Sequence, residues 1–334
     1  MLTKELIHEL PKVELHCHLD GSIQMSTLEK LAQREQLPLK NLSKAIAPKK
    51  CFDLKEYLTS FDIVLPLLQR AENLQLAAYD LVEQAANENI CYLEIRFAPL
   101  LHQEKGLSVA QILEAVLQGI HLAQEHHSIY VNLIISGMRH HSEEENLALI
   151  QSVSALKETE IVGFDFAGDE QAITNQTLEN CTQFAKESNL QLTLHSGECG
   201  CAQNVIEAIH LGATRIGHGV AIKDDPEAMI FCKEHQTLLE ICPTSNIQTN
   251  AVQDWADYPF RLFLNNGVNC CINTDNRTVS QTNLTNEFDL LRQHFQLTTS
   301  EMMQLTYNAL DGAFATHATK QILRKKIDAA YKTL

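Results

Sequence analysis

Two histidines flank a cysteine in the segment 13-VELHCHLDGS-22, and an aspartate and a glycine follow directly. In an extended strand side chains alternate between faces, so His16 and His18 share one face while Cys17 takes the other. Two imidazoles then converge on one point, as a metal ion requires. The chain has 15 histidines, so short spacings also arise by chance, and the pair gains meaning from its company. Polar groups recur where apolar runs end: 165-DFAGDE-170, 195-HSGE-198, 217-GHG-219 and 274-TDN-276. Three imidazoles and a carboxylate make a nitrogen and oxygen donor set that suits zinc and leaves one position for water. His16, His18, His195 and Asp275 are read as ligands of a single ion, because the fourth run offers Asp165 and no lysine to bridge a second. Zinc lowers the pKa of its water from ~15.7 to about 7. Glu198, three residues past His195 and beyond a Ser-Gly turn, is positioned to serve as general acid, and His218 to accept or orient the water's proton.

These residues need a scaffold that brings distant segments to one point. Eight short runs rich in Val, Ile and Leu, at 13–17, 90–97, 130–137, 161–167, 190–196, 214–219, 237–243 and 268–274, read as buried parallel strands. Helical patterns lie between them. In 108–127, Val109, Ile112, Leu113, Val116 and Ile120 form one stripe behind a Ser108 cap, and others run through about 174–188, 202–211, 226–235 and 282–295. Alternation of this kind predicts an α/β fold, a (β/α)8 TIM barrel, in which residues at the C-terminal strand ends face one shared pocket. A doubly wound open sheet fits less well, since no Gly-x-Gly-x-x-Gly follows the first run. The helical stretch 52–89 interrupts the rhythm and is read as a lid over the barrel mouth; residues 1–334 are otherwise expected to form a single domain.

Composition narrows the function classes. With 334 residues, 45% hydrophobic and 20% charged, the chain can bury an enzyme-sized core. A net charge of -16 repels nucleic acid and acidic membranes. The ten cysteines are scattered without a C-x-x-C, and MLTKELIHELPK is too charged for a signal sequence, so reduced thiols and a cytoplasmic location are expected. No run approaches the ~20 apolar residues of a membrane span.

The motifs also resemble those of the adenosine deaminase family, in the metal-dependent amidohydrolase superfamily. The resemblance runs in order through His16-Cys17-His18-Leu19-Asp20-Gly21, YLEIRFAP (92–99), GFDFAGDE (163–170), HSGE (195–198), GHG (217–219), CPTSN (242–246) and NTD (273–275). It implies attack of a zinc-bound hydroxide on C6 of a purine nucleoside and loss of ammonia to give inosine, with one Zn2+ per chain. By position it implies that Glu198 protonates N1 and His218 assists the hydroxide, while Asp275 also aligns it. Substrate contacts are implied for His18, for Asp20 at a ribose hydroxyl, for the Gly168 N–H at N3 and for Asn276 at N7. The segment 52–65 resembles the family's closing helix, with Leu58 and Phe61 as an apolar gate. Asn276 departs from the aspartate usual at its position. Two other readings stay open. An aminohydrolase for adenine or an adenine nucleotide would need phosphate anchors, for which Arg139, Arg215 and Arg277 are candidates; a zinc protein that binds nucleosides without catalysis would be expected to lack one of these groups.

Overall fold

Val-, Ile- and Leu-rich runs can bury both faces only if helices cover them outside and side chains fill them inside. The computed structural model, which describes residues 2–332, meets that demand with a barrel. Its strands are β1 (Lys12–His18), β2 (Ile90–Phe97), β3 (Tyr130–Met138), β4 (Ile161–Ala167), β5 (Gln191–Ser196), β6 (Arg215–His218), β7 (Leu238–Ile241) and β8 (Cys270–Ile272). They pair in parallel in sequence order from β1 to β8.

The expected (β/α)8 barrel is therefore present, and it is nearly closed. Its seam is closed by one side chain together with backbone bonds. β8 has only three residues, and beyond it Asn273 Oδ1 accepts the backbone N–H groups of Leu15 (2.8 Å) and His16 (3.1 Å). Backbone bonds from His18 N to Asp275 O (2.7 Å) and from Asp275 N to His16 O (3.0 Å) complete the seam. The seam thus joins two of the predicted metal ligands to a third.

The helices follow their patterns. Val109–Gln124 carries the expected buried stripe, and its Ser108 cap forms a full capping box with Gln111. The stretch 52–89 is not one continuous helix. Leu54–Leu58, Phe61–Val64 and a 3-10 turn at Leu65–Leu68 precede the long helix Ala71–Asn87. Asp53 starts the first piece by accepting the Glu56 N–H at 2.9 Å. Pro66 cannot supply an N–H to a continuing helix. Ala71–Asn87 packs on Val109–Gln124 as part of the barrel's outer ring, so the pieces before it form the roof. The roof has its own small apolar cluster of Ala47, Cys51, Tyr57 and Val279, separate from the main core.

Candidate active site

β1 delivers His16 and His18 to the C-terminal mouth, β5 delivers His195, and the turn after β8 delivers Asp275. One ligand atom from each lies within 4.8 Å of all the others. Asp275 Oδ1 is 3.4 Å from His16 Nε2 and 3.3 Å from His18 Nε2, and His18 Nε2 is 3.3 Å from His195 Nε2.

The far side of the imidazoles settles what these atoms can do. His16 Nδ1 is 3.0 Å from Glu240 Oε2, and His195 Nδ1 is 2.7 Å from Asp165 Oδ2. A carboxylate only accepts, so each Nδ1 carries the proton and each Nε2 turns a lone pair inward. His16 Nε2 is buried without a hydrogen-bond partner. Converging lone pairs beside a carboxylate are repulsive unless a cation lies between them, and the donor set fits a single zinc ion.

Below the ligands, Arg96 is wholly buried between Asp165 (3.2 Å) and Glu240 (2.6 Å). Arg215 joins Glu240 (2.7 Å) to Glu94 (2.6 Å). Burial raises the pKa of both central carboxyls, but their partners outweigh it: His195 beside it and the Arg96 guanidinium hold Asp165 well below the ordinary range, and the Arg96 and Arg215 guanidiniums do so for Glu240. Ionised, they can fix the histidine tautomers.

Glu198 and His218 meet beside the cluster, with 3.5 Å between Glu198 Oε2 and His218 Nε2. Burial, with the negative charges of Asp275 and Glu170, pushes the Glu198 carboxyl well above its ordinary value, a state that can donate a proton. Glu170 braces this loop by accepting from Gly197 N (2.8 Å), Cys199 N (2.6 Å) and Asn204 Nδ2 (3.0 Å). Burial lowers the His218 pKa well below its usual value, so the ring is neutral. The Tyr258 hydroxyl donates to Asn246 Oδ1 (3.1 Å), which turns Asn246 Nδ2 toward His218 Nδ1 (2.9 Å). His218 Nδ1 then accepts, and the ring N–H sits on Nε2, toward Glu198. Ser245 Oγ donates to Asp275 Oδ2 at 2.6 Å. His218 (φ 65°) and Asp275 (φ 62°) both occupy the left-handed region, a backbone cost that concentrates at functional sites.

These groups line a cavity of about 330 Å³. Asp20, Gly168 and Asn276 line it too, together with Leu54, Tyr57, Leu58, Phe61 and Leu65 from the roof. Burial raises the Asp20 carboxyl to about 6. Gly168 has φ +104°, which explains the glycine beside the cavity. A Cβ on Gly21 would lie 1.8 Å from Asn276 Oδ1, so the glycine of the first motif makes room for Asn276. Every predicted site residue is therefore in one cavity or at its ligand cluster.

The arginines considered as phosphate anchors are elsewhere. Arg139 donates to Asn175 Oδ1 (2.7 Å) and to the carbonyls of Ile173 and His195; Arg277 pairs with Glu14 and Glu88; Arg215 lies in the barrel floor. All three are buried and partnered, and among the described residues no lysine or arginine lines the cavity. Sequence reasoning overlooked Arg96, Glu240, Tyr258 and the supporting roles of Asp165, Glu170, Ser245 and Asn246. Five of these sit inside quoted motifs, Arg96 in YLEIRFAP, Asp165 and Glu170 in GFDFAGDE, and Ser245 and Asn246 in CPTSN, which was the available signal.

A family model described as adenosine deaminase matches residues 11–330. An adenosine deaminase of Enterococcus faecalis is 48% identical over 330 residues, covering 97% of this chain and 98% of that protein. One from Clostridium perfringens is 40% identical over 325 residues, covering 95% and 98%. Among solved structures, an adenine deaminase from Arthrobacter aurescens superposes with a TM-score of 0.90 at 25% identity, covering 97% of this chain and 99% of that one. The N6-methyl-AMP deaminase of Arabidopsis thaliana gives 0.90 at 29% identity, covering 99% and 100%.

Proposed function

We propose that this chain, which belongs to the adenosine deaminase family, hydrolyses adenosine and 2′-deoxyadenosine at C6 to give inosine or 2′-deoxyinosine and ammonia. The reaction class, zinc-dependent hydrolytic deamination of an adenine-related purine, follows from the family and the ligand cluster. What supports the finer reading is Glu198, whose carboxyl pKa is pushed upward by burial, beside that cluster in a cavity lined by no lysine or arginine among the described residues.

His16, His18, His195 and Asp275 hold the ion, which when bound acidifies the attacking water. Glu198 gives its proton to N1, drawing electrons from C6 and making that carbon electrophilic. His218, with its proton on Nε2, orients the attacking water. Asp275, steadied by Ser245, keeps its inward oxygen beside the same water. As the C6–O bond forms and the C6–N bond breaks, the water gives up two protons: one restores to Glu198 the proton it placed on N1, and the other converts the departing amino group to ammonia. Asp20 accepts from a ribose hydroxyl alongside His18, the Gly168 N–H meets N3, and Asn276 donates to N7. The apolar roof excludes bulk water and thereby strengthens each of these contacts.

The competing relatives act on adenine or N6-methyl-AMP by their names. A phosphate needs cationic or forked donors, and the buried partners of Arg139, Arg215 and Arg277 argue against a nucleotide. We also infer one barrel domain with its roof, in a reducing cytoplasm: all ten cysteines are free and eight are buried. No helix of the described residues is long and apolar enough to cross a membrane. Ammonia release should be measured on adenosine, 2′-deoxyadenosine, AMP and adenine. The two nucleosides should exceed the others in kcat/KM by about tenfold or more; preference for AMP or adenine would overturn the nucleoside assignment.

A further inference from the structure

A second cavity, of about 550 Å³, adjoins the first. Leu54, Leu58 and Glu198 line both, so these three side chains form the shared wall. Further lining comes from residues that follow Gly168 and Glu198 in the chain, Asp169, Gln171 and Cys199, and from Asp53 and Lys55 of the roof. The two loops are bonded to each other: Gln171 Nε2 donates to Cys199 O at 2.9 Å, and Cys199 N donates to Glu170 Oε1 at 2.6 Å.

In the purine pose given above, Glu198 meets N1 and the Gly168 N–H meets N3. C2 is the ring atom between N1 and N3, so a substituent on it leaves the ring between Gly168 and Glu198. The outer cavity takes its lining from both sides of that gap, Glu198 on one and Asp169 on the other. C6, N7 and the ribose face elsewhere, since His18, Asp20, His195, Asp275 and Asn276 line the inner cavity and none of them lines the outer one. The chemistry of the outer cavity favours a cation. Among its described lining residues Lys55 is the one cation, against Asp53, Asp169 and Glu198. Asp169 is exposed, and the N–H groups of Gln171 (2.9 Å) and Ala172 (3.4 Å) both fall on its Oδ1, which leaves Oδ2 for a donor from outside. Leu54 and Leu58 offer an apolar edge to a short alkyl linker.

We propose that the outer cavity is a subsite for substituents on purine C2, in which the Asp169 carboxylate selects those ending in an ammonium group. This rests on the nucleoside reading given above. The reaction itself is unchanged: water replaces the C6 amino group, ammonia leaves, and the C2 substituent stays on the product.

The test compares adenosine, 2-(2-aminoethylamino)adenosine and 2-(propylamino)adenosine as substrates of the zinc-loaded enzyme, by ammonia release. The two substituted nucleosides carry the same nitrogen on C2 and tails of equal length, so they differ in the charged end alone. Both should be deaminated, and the aminoethyl compound should show a KM about 3- to 5-fold below that of the propyl compound, the scale of an exposed charge pair. Asp169→Asn keeps an acceptor for Gln171 N and should bring the two KM values together, while adenosine keeps its wild-type kcat and KM. Wild type that deaminates adenosine but neither substituted nucleoside would overturn the subsite. Equal KM values in wild type, or a preference that survives Asp169→Asn, would overturn selection by Asp169. Failure to deaminate adenosine itself would overturn the nucleoside reading, and this proposal with it.

Discussion

Beneath the cavity Arg96, Asp165, Glu240, Arg215 and Glu94 are buried and bonded to one another, whereas above it Phe52 is 84% exposed and Leu58 37%. The floor holds position through charges that have no water to turn to. Each carboxylate there is matched by a guanidinium or an imidazole, and removing one partner leaves the other stranded. The roof holds position through short helices, a four-residue apolar cluster and the Tyr57 hydroxyl. Such a segment opens at far smaller cost than the floor. The division suits a deaminase: proton positions are fixed below, where a wrong tautomer would spoil ligation, and the cavity is covered above by apolar roof residues.

The two regions are expected to fail differently when mutated. The largest effect belongs to the acid between them. Glu198→Gln should lower kcat by ~10²–10⁴-fold while zinc content and thermal midpoint stay at wild-type values, since the carboxyl lies outside the ligand cluster. A variant within a few-fold of wild type would remove Glu198 from proton transfer.

In the floor, Arg96→Met should cost roughly 3–5 kcal/mol in urea unfolding, because Asp165 and Glu240 lose their shared cation. Zinc affinity should fall with it, as His195 and His16 lose ordered carboxylate partners. A stability loss under about 1 kcal/mol, the range of an exposed ion pair, would show that the floor does not act as a unit.

The roof should give the smallest and most selective response. Leu58→Ala trims an apolar group that is already 37% exposed, so the unfolding midpoint should hold. KM for adenosine should rise roughly 2- to 5-fold, the scale of a partly buried methylene or two. A fall in stability comparable with that of Arg96→Met would erase the contrast between roof and floor.

Much of this site could be read before any coordinates. Strand periodicity placed His16 and His18 on one face, and polar endings of apolar runs identified His195, His218 and Asp275, because in a barrel those endings share one mouth. What escaped was whatever depends on distant pairing. Arg96 and Glu240 are 144 residues apart and meet only through the barrel's closure. The same blindness made Arg139, Arg215 and Arg277 look available as anchors, since charge is visible in a sequence and its buried partner is not. The stretch 52–89 was legible as helical, but its division at residues 59–70 depends on caps and on Pro66 rather than on apolar period. Asn273 closing the barrel with a side chain in place of a strand leaves no periodic trace at all.

The most direct test of the account is zinc titration of chelator-treated protein, with ammonia release from adenosine as the readout. Four inward donor atoms around a single point predict no activity without metal and a linear recovery that breaks at one zinc per chain. Full activity after exhaustive chelation, or a break at two equivalents, would contradict it.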